Sequence, residues 1–94
     1  NMNKQIERKT MSRPLPFKCD ILDKEPVEIQ NPYTGQGIVL EPDAIAVYDC
    51  IKGAEMMAHA QNIDDGAHEL WQTVRKGLDW FIKYEPKAYG VLLD

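Results

Sequence analysis

Two prolines frame the most demanding feature of this chain. Between Pro42 and Pro86 lie two stretches whose apolar residues recur at helical spacing. A pattern of that period can be satisfied only by helices that bury one face. Glu41-Pro42-Asp43 reads as a helix start. Proline suits the first helical position, where no N–H is needed, and Asp43 sets a carboxylate at the positive end of the dipole. The first helix is predicted over 42–60. Ala44, Val47, Tyr48, Ile51, Ala54 and Ala58 share a face with Glu55, and Ile45, Cys50 and Met57 widen it. Gly53 and Ala54 are small and would let another helix approach closely.

Residues 61–66 (QNIDDG) form a connection, with Asp64 or Asp65 expected to cap a second helix over about 65–84. Leu70, Trp71, Val74, Leu78, Phe81 and Ile82 lie on one face of it. Gly77 among them predicts a close crossing or a bend. Pro86 stops this helix at or before Glu85. The tail 86–94 contains Ala88, Tyr89, Val91, Leu92 and Leu93 and must pack, as a helical turn or a strand.

Upstream the period changes to two. Val27 and Ile29 alternate with Glu28 and Gln30, the turn-rich run Asn31 to Gly37 follows, and Ile38-Val39-Leu40 reads as the return strand. A β-hairpin is therefore predicted over 26–40. Phe17, Cys19 and Ile21 also alternate, which suggests a short strand or an extended packing segment over 17–22. The fold class is α+β, mainly α: a β-hairpin followed by two antiparallel helices with a packed C-terminal tail. It forms one small domain, 14–94, after a basic flexible arm, 1–13. A domain of this size buries only ~60% of its unfolded surface, so a homodimer through a leftover apolar helix face is expected.

The net charge of −4 hides an asymmetry. Residues 1–18 hold Lys4, Arg8, Lys9, Arg13 and Lys18 against Glu7 alone, and the rest of the chain is acidic. Hydrophobic residues make up 44% and none of their runs approaches the ~20 residues of a membrane span. No apolar signal region opens the chain, so a cytoplasmic protein with reduced Cys19 and Cys50 is expected.

The motifs argue against an enzyme. Cys19, Cys50, His59 and His68 are spaced too widely for a zinc finger. The single serine, Ser12, lies in the arm, and no phosphate-binding glycine loop is present. No metal or cofactor is expected. The leading expectation is a non-enzymatic protein–protein interaction module that self-associates. Its interface candidates are Tyr48, Trp80 and Tyr84, with the turn 31–37 as a second surface. Trp80 and Tyr84, four apart on one helix, could instead receive the C-terminal tail. An alternative is a nucleic-acid accessory protein that contacts phosphates through Lys4, Arg8, Lys9 and Arg13. The acidic body and the long interhelix connection speak against a groove-reading helix. A third reading is a ligand or metal site around His59, Asp64, Asp65 and His68.

The segments NPYTGQGIVLEPDAIAVYDCIKGAE (31–55) and TVRKGLDWFIKYEPKAYGVLLD (73–94) resemble short uncharacterised proteins of tailed phages and marine metagenomes. The similarity lies in the spacing of Asn31-Pro32, Thr34-Gly35, Leu40, Pro42, Val47-Tyr48-Asp49, Lys52-Gly53-Ala54-Glu55 and Asp79-Trp80-Phe81. It implies a viral or environmental origin, with the host-cell cytoplasm as the site if phage-encoded. It brings no activity or ligand with it.

Overall fold

A computed structural model describes residues 13–94. Strands β1 (Val27–Gln30) and β2 (Gly37–Leu40) form an antiparallel hairpin, paired Val27 to Leu40 and Ile29 to Ile38. The turn is built on Asn31. Its Oδ1 accepts the Tyr33 amide at 2.8 Å, its carbonyl accepts the Gly35 amide, and its own amide donates to the Gln36 carbonyl. Gly35 sits at φ +76°, a conformation that strongly favours glycine. The Asn31 Nδ2 donates to the Val91 carbonyl at 3.0 Å and ties the turn to the C-terminal tail.

Helix α1 (Pro42–Ala60) starts on Pro42, as the local chemistry requires. It ends in a Schellman motif. Asn62 adopts φ +55°, its amide donates to the His59 carbonyl, and Ile63 reaches back to Ala58. Residues Asp43 to Val47 are all buried, so the first turns of α1 are covered on every side.

Helix α2 (Glu69–Tyr84) begins later than predicted, and neither aspartate caps it. Asp65 is committed to the preceding turn: its Oδ1 accepts the Ala67 amide and its carbonyl accepts the His68 amide. His68 takes the cap, with Nδ1 accepting the Leu70 amide at 3.0 Å. His68→Ala is therefore expected to lose about 0.5–1 kcal/mol in urea unfolding. His68→Asp should hold or raise stability, since a carboxylate is the better cap at a helix N-terminus. Equal stability of the wild type and the alanine variant would refute the cap's contribution.

The tail is helical, as one short turn α3 (Pro86–Ala88) that widens into a π-helical turn over Tyr89–Leu93. Ala88 and Leu92 are buried. Leu40, Val47, Ile51 and Phe81 form the centre of the core, each fully enclosed.

The helices approach most closely at Gly77, not at Gly53. Gly53 is exposed with open space around it. A Cβ on Gly77 would overlap Ile51 Cγ1, lie 2.7 Å from Ile51 Cδ1, and touch Phe17 at 3.5 Å. Residues 17–22 form no strand. They are the extended packing segment that is the other expectation, part of a strap over residues 13–26 with Leu15, Phe17 and Cys19 packed against the core.

Candidate functional site

Arg13 pins the strap at its start. The guanidinium grips Asp43 through both carboxylate oxygens, Nη2 to Oδ1 at 2.8 Å and Nε to Oδ2 at 3.0 Å. Its Nη1 reaches Glu85 Oε2 at 2.8 Å and the Tyr84 carbonyl at 3.3 Å. One side chain thus joins the N-terminus of α1 to the C-terminus of α2, where a cation is favoured by the exposed carbonyls. Asp43 is only 6% exposed. Burial pushes its carboxyl up, but the hydrogen bonds from Arg13 and from the Ala44 amide outweigh that and hold it below the usual aspartate value. The same partnership, offset in part by burial, raises the Arg13 guanidinium above its ordinary value.

The candidates for an exposed aromatic interface are placed differently from the expectation. Trp80 is 5% exposed, and its indole N–H donates to the Pro14 carbonyl at 2.6 Å. Arg13 stacks over the same ring at 5.0 Å. Tyr84 is half-buried, 5.3 Å from Trp80 and 5.9 Å from the Arg13 cation. Tyr48 is also half-buried and packs on the core. Trp80 is therefore not a free anchor, because the strap lies on it. The part of the strap that covers Trp80, Arg13 and Pro14, carries no periodic signal of this role. Arg13, counted with the arm by its charge, is spent on Asp43 and Glu85 and belongs to the body. Lys4, Arg8 and Lys9 lie outside the described residues.

The connection between the helices does not gather a ligand set. His68 caps α2, Asp65 closes a turn, and His59 packs edge-on against Trp71 with ring centroids 5.3 Å apart. Among the described residues, no three His, Cys, Asp or Glu side chains come together as a metal site.

A different surface remains open. On the face of α2 turned away from the strap, Trp71, Val74, Leu78 and Ile82 line a shallow groove of about 370 Å³ with Tyr89 from the tail. The Trp71 indole N–H is satisfied by the Ile63 carbonyl at 2.7 Å, so the ring offers its apolar body to the groove. Ile82 is 50% exposed, far more than a core side chain of that size. Arg75 and Asp79 stand on the lining, four residues apart, and neither is paired with another described side chain. Sequence periodicity placed Trp71, Leu78 and Ile82 on the core face. Trp71 and Leu78 do pack on the core, half-buried, and only Ile82 at the edge of the stripe is left exposed.

Among the described residues, no helix is long and apolar enough to cross a membrane. Comparison with protein-family models, with curated proteins and with solved structures returns no match.

Proposed function

We propose that this protein is a small interaction module that acts by contact rather than catalysis, and that its α2 groove receives the same groove of a second copy. The observation that supports this is a shallow groove in which exposed Ile82 stands beside half-buried Trp71, Leu78 and Tyr89, with Arg75 and Asp79 on its lining. A two-fold interface is self-complementary: residue i of one copy meets residue j of the other, and j meets i. Two antiparallel copies of α2 crossing near residue 77 would set each Arg75 against the partner's Asp79. The same crossing brings Trp71 of each copy toward Ile82 of the other. The apolar strip supplies the affinity, and the two charge pairs fix the direction of the helices.

Light scattering on the full chain tests this. The wild type is expected as a dimer at micromolar concentration, and Ile82→Glu as a monomer with an unchanged circular dichroism spectrum. Arg75→Asp should weaken the dimer by placing aspartates opposite one another. Arg75→Asp combined with Asp79→Arg should restore it. A monomeric wild type, or a double variant no tighter than Arg75→Asp, would defeat the proposal.

A further inference from the structure

The strap brings two cysteines together that lie far apart in the chain. Phe17 sits against Gly77 and close to Ile51, which fixes the register of the strap on α1. From there the strap alternates: Phe17 and Cys19 turn inward, while Lys18 and Asp20 are exposed. Cys19 packs against the core two residues after Phe17, and Cys50 directly precedes Ile51 on α1. Asp43, which Arg13 grips, and Cys50 lie seven positions apart on one face of α1, so the strap that starts at Arg13 and passes Ile51 with Phe17 brings Cys19 beside Cys50. Both are free and half-buried.

We infer that Cys19 and Cys50 form a disulfide site that closes within one chain, with a small disulfide of the glutathione class as its oxidant. The reaction balances in two exchanges. The Cys50 thiolate attacks the small disulfide, forms a mixed disulfide on its own sulfur and expels one small thiolate. Cys19 then loses its proton and attacks the Cys50 sulfur, and the second small thiolate leaves. The two small thiolates take up the protons that the cysteines lose. The oxidant is reduced to two thiols, and the protein loses two hydrogens. The order follows from the environment of Cys19. Its thiol is pushed up to about 11, first by burial, then by the neighbouring Cys50, with Asp20 and Asp43 adding to the effect. Protonated at neutral pH, it is the poorer first nucleophile and the natural resolving one. The bridge would fasten the middle of the strap to α1, at a point well separated from the Arg13 anchor.

The test uses the full chain, reduced and then exposed to oxidised glutathione at neutral pH. Remaining thiols are capped with iodoacetamide and the intact mass is read. The wild type should lose two hydrogens and carry neither cap nor glutathione. Cys19→Ser should instead retain one glutathione on Cys50. Closure in the native chain should be at least roughly tenfold faster than in concentrated urea, because the fold holds the thiols in place. The oxidised wild type should also melt at a higher temperature than the reduced form, a rise absent from Cys19→Ser. Two caps or a persistent glutathione on the wild type, disulfide-linked dimers, equal closure rates with and without urea, or a lower melting temperature on oxidation would each overturn the inference.

Discussion

Arg13→Ala is expected to lower the unfolding free energy by about 3 kcal/mol at neutral pH, the low end of the range for removing one partner of a buried ion pair. The low end applies because the Arg13 side chain keeps 24% of its exposure, while Asp43 keeps 6%. The penalty falls on Asp43. Without the guanidinium its carboxylate stays buried on two main-chain amides, those of Ala44 and of residue 13, and the cation that Trp80 and Tyr84 receive is lost as well. The effect should depend on pH in a defined direction. In the wild type the folded Asp43 titrates below its unfolded value of 3.8. Its contribution is thus complete above that value and fades as pH falls through the lowered one. In the variant, burial is opposed only by the two main-chain amides, so the carboxyl rises from its wild-type value and protonation in acid relieves part of the penalty. The gap between the two proteins should therefore narrow from pH 7 toward about pH 3. Urea unfolding followed by tryptophan fluorescence at both pH values measures it. A difference below about 1 kcal/mol at neutral pH, or one that does not change with pH, would contradict the role given to this pair.

Gly77→Val should cost about 2–3 kcal/mol, from overpacking at the tightest point between the helices. The new Cβ meets Ile51 at Cγ1 and Cδ1, and Ile51 is only 1% exposed, with no free space to turn into. Gly77→Ala is the milder probe. It gains up to ~1 kcal/mol of helix propensity but meets the same overlap, so a net loss is expected. Ile51→Ala alone should cost 2–5 kcal/mol as a core truncation, in the range of about one buried aliphatic side chain. The combined Gly77→Ala and Ile51→Ala variant should be at least about 1 kcal/mol more stable than the sum of the single losses, because the truncation removes the atoms that clash. Strict additivity in chemical unfolding would show that the helices do not meet there.

The hairpin, the start of α1 at Pro42 and the stop of α2 before Pro86 were all legible in the sequence, because each depends on residues next to one another. Asn31, Gly35 and Pro42 carry their geometry locally. The start of α2 was not, because Asp64, Asp65 and His68 can all accept an amide and the turn claims Asp65 first. Between Gly53 and Gly77, only the tertiary arrangement decides which one faces a neighbour. Trp80 was the largest displacement. Its side of α2 is covered by Arg13 and Pro14, which come from a stretch with charge and prolines but no periodicity. Cys19 lies in an alternating run, but nothing in the sequence says that this run packs beside Cys50 on α1. The groove was legible in its residues but not in its openness, since a helix stripe does not say how much of its width a partner will cover.

The bond from Arg13 to Glu85 spans 72 positions of the chain. During synthesis, Arg13 leaves the ribosome long before its partners on α2 exist. The Trp80 surface, the Tyr84 carbonyl and Glu85 all follow it much later in the chain. Until then the strap has only α1 to hold it, through Asp43 and the neighbourhood of Cys50 and Ile51. Loop-closure entropy grows only slowly with such a span, but it must be met before the contact rewards it. The strap's seat on Trp80 and Glu85 can therefore close only after the second helix has emerged. A chain halted before Trp80 would have its strap held by α1 alone.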